Sequence, residues 1–262
     1  MQRSPLYTIL FATAVCIVCA VVVSSSAVSL KERQDANSAL EKQRNVLIAA
    51  GLLSDDEKVS PDEIESRFAS IRGVVIDLET GEQAPDIDPL TFDQRKRATD
   101  PATSRVAPAN TALVRRLPDY ALVYLVEGEA GAIDMIILPI EGYGLWSTLY
   151  GFLALDADLE TVRGITFYEH GETAGLGGEV DNPRWKAKWD GRKAFGEDGS
   201  PQIEVIKGPA GPPAEDPYRV DGLSGATLTA RGVTNLVQFW LGEDGFGPLL
   251  DKLGSKEERR AA

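Results

Sequence analysis

Asp221-Gly222-Leu223-Ser224-Gly225-Ala226-Thr227-Leu228-Thr229 leads into Val233, Leu236, Val237, Trp240 and Leu241, which recur at helical spacing. A helix is therefore expected to begin between Ser224 and Ala230, with Gly222 and Gly225 permitting a tight turn and close approach of backbone to a ligand. The first N–H groups of such a helix lack intrahelical partners and carry the positive end of the macrodipole. An anionic group on a nearby hydroxyl would be stabilised there, and Thr227 is the candidate hydroxyl. Taken singly, the same Asp, Ser, Thr and Gly residues also describe an ordinary turn and N-cap.

Upstream of this helix the pattern is that of a sheet. Tyr120 to Glu127, Ala132 to Ile137, Thr148 to Leu155 and Val162 to Tyr168 are β-rich runs separated by Gly, Asp or Pro turns. Ile203 to Ile206 is a candidate for another strand, and Gly128-Glu129-Ala130-Gly131 suits a hairpin turn. Residues 80–118 are Pro-rich and charged and read as an excursion over the surface. Lys31 to Leu53 has helix-forming composition with Gly51 as its stop, and Pro61 to Ser70 suits a second short helix. The expected architecture is α+β: a mainly antiparallel sheet with packed helices, preceded by an N-terminal transmembrane helix. The divisions expected are an anchor (1–30), a membrane-proximal helix and surface excursion (31–118), a ligand-binding domain (119–254) and a polar tail (255–262).

From Leu6 to Leu30 there is no charge, and as a helix this stretch would be roughly 37 Å long, enough for the ~30 Å hydrocarbon core with some tilt. A cleaved signal peptide is the competing reading, since Arg3 precedes the apolar run and Ser25-Ser26-Ala27 is a small-residue site; the length of the run favours retention. Orientation is set against itself. Lys31, Arg33, Lys42 and Arg44 outnumber Arg3 and by the positive-inside rule would hold the large domain in the cytoplasm.

Composition excludes several chemistries. A formal charge of -13 argues against nucleic acid, whose phosphates call for a basic face. Both cysteines, Cys16 and Cys19, lie in the apolar run three residues apart, on one helix face, where packing against a neighbouring helix is the simplest role. A metal site shared with partner subunits is the alternative for them. The soluble part thus has neither a disulfide framework nor an iron–sulfur cluster. With His170 as the sole histidine, no metal site is expected there. Redox chemistry would have to come from an organic cofactor.

After the strand ending near Tyr168 comes Glu169-His170-Gly171-Glu172-Thr173-Ala174-Gly175-Leu176-Gly177-Gly178. Gly175, Gly177 and Gly178 omit side chains where a flat ring could approach backbone, and Glu172 and Thr173 offer polar atoms for its edge; a mobile surface loop is the plain alternative. The spacing is not a Rossmann fingerprint, so NADH is not expected to bind this chain. His170 suits either a hydrogen bond to a ring edge or a strand cap.

The run 221–229 resembles the flavinylation motif, in which an Asp, two variable residues, Ser or Thr, Gly and Ala precede an acceptor Thr. Glu141-Gly142-Tyr143-Gly144-Leu145-Trp146-Ser147 and the run 169–177 resemble, in order, two further signature stretches of the C subunits of bacterial sodium-translocating NADH:quinone oxidoreductases. Ala174 departs from the pattern, standing where the family usually has Pro. The resemblance implies FMN attached covalently through its phosphate to Thr227 by a flavin transferase, with Asp221, Ser224, Gly225 and Ala226 as context and Thr229 outside the acceptor position. It further implies Trp146 stacking on or shielding the ring, and Glu172, Thr173, Gly175, Leu176 and Gly177 around it. The implied role is an electron carrier between NADH and ubiquinone, coupled to sodium export. The implied setting is the bacterial inner membrane among partner subunits, with a periplasmic soluble domain. The G subunits of Rnf-type electron-transport complexes share the flavin motif. A free-standing flavoprotein reductase or a cofactor-free, membrane-tethered binding module would also accommodate these residues.

Overall fold

The computed structural model describes residues 4–128 and 132–261, so most of the expected Gly128–Gly131 turn lies outside the described residues. Two compact units are present, Met1–Lys42 and Gln43–Ala262. The first consists of helix α1 (Pro5–Ala49), which continues seven residues into the second. It is long and apolar enough to cross a membrane, and the apolar residues from Leu6 to Leu30 are exposed along it. The separate helix expected from Lys31 is instead the continuation of α1, because no Gly or Pro interrupts the sequence until Gly51, which turns the chain at φ +69°.

In the second unit, Arg44 anchors the turn after α1 by donating to the carbonyls of Asp55 (2.9 Å) and Glu57 (3.0 Å). Helix α2 (Pro61–Phe68) starts at Ser60, whose hydroxyl accepts from the Glu63 N–H, with Pro61 pre-set in its first turn. Strand β1 (Ile71–Asp77) follows. Residues 80–118 then contain a short helix α3 (Gln94–Thr99), capped by Asp93, and a ribbon of β2 (Ser104–Val106) against β3 (Arg116–Pro118). Strands β4 (Tyr120–Glu127), β5 (Ile133–Tyr143), β6 (Thr148–Asp156) and β7 (Val162–Glu169) form an antiparallel meander. β1 pairs antiparallel with β4, giving the order β1-β4-β5-β6-β7. The expected boundary at residue 119 is therefore corrected: the sheet recruits a strand from the preceding segment, and the unit begins at Gln43.

A 3-10 turn (Gly177–Asp181) and the single-turn helix α4 (Pro183–Lys186) lead to a parallel pair, β8 (Glu204–Val205) with β9 (Arg219–Val220). Helices α5 (Thr227–Leu241) and α6 (Gly247–Ala261) complete the chain, so helical backbone runs through most of the expected polar tail.

Both faces of the sheet are buried. On one, Val123, Ile136, Leu138 and Leu153 join the apolar stripe of α5, Val233, Leu236, Val237 and Trp240, in one core cluster. Trp240 also donates its indole N–H to the Glu141 carbonyl at 2.6 Å, which fixes α5 along β5. The other face carries an aromatic row, Phe68, Tyr124, Phe152 and Tyr168, with ring centroids 5.2–6.0 Å apart from one to the next. A buried polar chain ties that side together: Lys186 pairs with Asp55 and donates to Thr166, whose hydroxyl donates to Asn45 at 3.2 Å.

Candidate functional site

Thr227 is the first residue of α5 and is exposed. The preceding Ala226 is the N-cap position and makes no side-chain hydrogen bond, so the side-chain cap of the alternative reading is not formed. Among the described residues, the N–H groups of Thr227, Leu228 and Thr229 have no protein acceptor. The helix thus presents unpaired donors and its positive end beside an available hydroxyl. This is what an anionic ester at Thr227 needs.

The residues before the helix hold that end in place. Asp221 spends its carboxylate on the Lys188 ammonium (2.8 Å) and the Ala210 N–H (3.0 Å), and its carbonyl accepts from the Trp185 indole (2.8 Å). Burial raises the Asp221 pKa, but the bonds from Lys188 and Ala210 outweigh it and hold the carboxyl below its ordinary value. Gly222 lies so close to the 206–208 segment that a Cβ would come within 2.2 Å of the Ile206 carbonyl oxygen. Gly225 adopts φ +71°, and a Cβ there would meet Leu176 at 3.0 Å. The flavin-motif turn and the glycine loop are therefore neighbours in space.

Glu172 joins the three matched stretches. It is 8% exposed; its Oε1 accepts from the N–H groups of Leu145 (3.1 Å), Trp146 (2.9 Å) and Ser147 (3.2 Å), and its Oε2 accepts from the Thr229 hydroxyl (2.7 Å). Burial raises the Glu172 pKa, and the bonds from Thr229, Trp146, Ser147 and Leu145 more than offset that, so the carboxylate is favoured. Both oxygens are thus engaged inside the protein. Gly177 serves the same clamp, since a Cβ there would lie 2.6 Å from the Thr229 hydroxyl and 2.7 Å from Glu172 Oε2. Its missing side chain makes room for the clamp. Gly178 likewise packs on the Thr173 carbonyl, whereas Gly175, at φ +75°, faces open space.

His170 accepts from the Glu172 N–H at Nδ1 (3.2 Å), which leaves Nε2 to donate to Asp181 (2.7 Å). It ties the loop to the 3-10 turn. Ser147 accepts from the Gly171 N–H at 2.6 Å, a second bond between the two loops. The clamp leaves apolar side chains outward: Trp146 is 66% exposed, Leu228 52% and Leu176 44%. Thr173 and Ser224 are exposed, and Ala226 is buried. Trp185, Trp189 and Trp240 are buried, as packing residues should be.

A cavity of about 670 Å³ opens beside Thr227, lined among others by Lys207, Gly208, Ser224, Gly225 and Arg231. Neither Lys207 nor Arg231 has an acidic partner among the described residues, so two cations face the hydroxyl's surroundings. Arg231 lies one turn after Thr227 and is legible from i, i+4 spacing. Lys207 has no local signal, because it arrives through the β8–β9 pairing and the Gly222 N–H bond to the Gly208 carbonyl (2.8 Å). The exposed hydroxyl, uncapped helix end, flanking cations and open space at Gly175 fit a phosphate-bearing planar cofactor.

Known proteins resemble this chain along most of its length. The FMN-binding domain family matches residues 144–242, which span the Trp146 loop, the glycine loop and α5. The C subunit of the Na(+)-translocating NADH-quinone reductase of Pseudomonas aeruginosa is 48% identical over 260 residues, covering 98% of each chain. Its counterpart from Yersinia pestis is 48% identical over 249 residues, 94% of this chain and 92% of that one. The crystal structure of Shewanella oneidensis NqrC superposes with a TM-score of 0.75 at 35% identity, covering 82% of this chain and 97% of that one. With likeness running the length of both chains and an FMN-binding domain at its centre, the chain belongs to the NqrC family, the C subunits of the Na(+)-translocating NADH-quinone reductases.

Proposed function

We propose that this subunit is a covalent-flavin electron carrier, with FMN joined through its phosphate to the Thr227 hydroxyl by a flavin transferase. It would relay electrons from NADH toward ubiquinone in a complex whose other subunits couple the transfer to sodium export. The observation that carries the reading is an exposed Thr227 at an α5 N-terminus that no side chain caps. When bound, FMN supplies one- and two-electron redox chemistry. The chain's own residues hold it. The N–H groups of the first turn and the Lys207 and Arg231 side chains offset the phosphodiester charge. Glu172 fixes the Trp146 loop to α5, so that Trp146, Leu176 and Leu228 border the ring and limit its contact with water. No protein acid or base is required for electron transfer itself.

The full-length likeness to NqrC chains favours this reading over the G subunit of an Rnf-type complex, and membership of a multisubunit reductase family favours it over a free-standing reductase. The anchor is assigned to the bacterial inner membrane with the soluble domain periplasmic, as the resemblance implies and despite the basic residues after the apolar run. Protease access to the domain in spheroplasts tests that orientation: digestion supports it, and protection in intact spheroplasts overturns it.

The attachment is tested by ultraviolet fluorescence on denaturing gels after expression with the flavin transferase. Thr227→Ala should leave a folded protein whose band is non-fluorescent, and Thr229→Ala should give a fluorescent band. Fluorescence from the Thr227 variant would refute the assignment.

A further inference from the structure

The geometry points to a second anion site, on the α3 side of the β5–β6 hairpin, that takes a phosphoryl group. It shares no lining residue with the cavity at Thr227 and does not depend on the flavin reading. Residues 92–116 carry six basic and two acidic side chains in a chain of net charge -13, so positive charge is concentrated here against the overall balance. Arg95, Lys96, Arg115 and Arg116 all line one cavity of about 800 Å³. The two acids of the segment are turned to other work: Asp93 caps α3 and Asp100 accepts from the Ala102 N–H.

Two of the four cations are held rigid. Arg95 pairs bidentately with Glu169 (2.6 and 3.0 Å) and lies 3.7 Å over the Tyr150 ring. Arg116 donates to the Ser104 hydroxyl (2.8 Å) and carbonyl (2.6 Å). Each keeps N–H donors to spare, since a guanidinium has five. Lys96 and Arg115 have no acidic partner among the described residues and supply the uncompensated charge. Glu141 is the sole carboxylate among the lining residues, and burial pushes its pKa up, which reduces its opposition to an anion. Fixed guanidinium forks beside exposed, unpaired cations match the tetrahedral oxygens and double charge of a phosphoryl group better than a lone carboxylate. The rim is apolar: Leu113, 62% exposed and held at φ +57°, borders both this cavity and an adjoining one of about 440 Å³. Asn110 fixes that turn through the Val114 N–H (3.0 Å) and carbonyl (2.9 Å). A phosphate ester with an apolar body would seat its phosphate on the cations and its body on Leu113 and Tyr143.

The test uses the full chain in nanodiscs of neutral lipid, titrated calorimetrically with pyrophosphate and, separately, mixed with phosphatidate vesicles in a flotation assay. At least one probe should bind, with affinity falling steeply as salt rises. Lys96→Ala with Arg115→Ala should weaken binding about tenfold or more, since each removes a charge-assisted contact. Both positions are exposed, and an unchanged thermal midpoint verifies folding. Arg219→Ala, which removes one exposed charge outside both cavities, should bind as the parent does, which separates this site from a general loss of positive charge. Pyrophosphate binding assigns a soluble ester, and vesicle binding alone assigns a lipid headgroup. Failure of both probes, an unaffected double variant, or an equal loss of binding on Arg219→Ala overturns the proposal.

Discussion

Glu172 and Thr229 carry more of the site than either motif suggests when read along the chain. Thr229 lies two residues past the proposed acceptor, and the motif alone gives it no part in attachment. Its side chain is fully buried against Glu172. Thr229→Ala should therefore keep its flavin yet lose about 1.5–3 kcal/mol of stability, as for a hydrogen bond to a charged group, measured by denaturant unfolding. Glu172 gives a pH dependence with a definite sign. Its folded pKa lies below the ordinary 4.5, so its contribution is present above that value and is lost as pH falls through the folded pKa. The gap in thermal midpoint between the parent and Glu172→Gln should be constant near neutrality and narrow below about pH 4.5. A gap that widens on acidification would contradict the clamp. The sequence displays both residues but not their meeting, because 57 positions separate them and only the fold closes that distance.

At the scale of elements, α5 is placed by what its glycine and tryptophan allow. A Cβ at Gly232 would meet the Tyr143 carbonyl oxygen at 2.5 Å and Gly144 Cα at 2.9 Å, so the helix sits directly on the β5–β6 turn. Gly232→Ala, which raises helix propensity, should nevertheless destabilise the protein by about 1–3 kcal/mol through overpacking, and should loosen the Trp146 loop. Trp146 fluorescence quenching would report the second effect. The strands of the meander are legible because β-branched and aromatic runs alternate with Gly, Asp and Pro turns; the Tyr120–Glu127 run coincides with β4 from end to end. β5 runs on to Tyr143, past the expected Ile137, since Pro139 and Gly142 are tolerated within the β5–β6 pairing. β1 is far less legible, although Val74-Val75-Ile76 is a short apolar run; it pairs with β4 across the 80–118 excursion, a long-range step that no local pattern announces. A separate helix at Lys31 would need a break where apolarity ends, and the backbone has no reason to stop there.

For the molecule as a whole, the sheet between two buried faces is the frame, and the candidate site occupies one end of it. The opposite face is pinned by an ion pair between the buried Lys186 and the partly buried Asp55, linked to Thr166 and Asn45. Removing one partner leaves an uncompensated charge, so Lys186→Ala should cost about 3 kcal/mol or more in chemical denaturation, while Lys186→Met should cost less. The net charge of -13 argues against nucleic acid but conceals a local excess of positive charge between residues 92 and 116, of which the fold gathers Arg95, Lys96, Arg115 and Arg116 around one cavity. The central claim is covalent: one FMN esterified to one hydroxyl at the start of α5. Peptide mass spectrometry of the chain, purified from a host that supplies the flavin transferase, addresses it directly. The account predicts that the peptide containing Thr227 carries the mass of FMN less one water, with fragmentation placing it on that residue; an unmodified Thr227 peptide, or the flavin on Thr229, would contradict it.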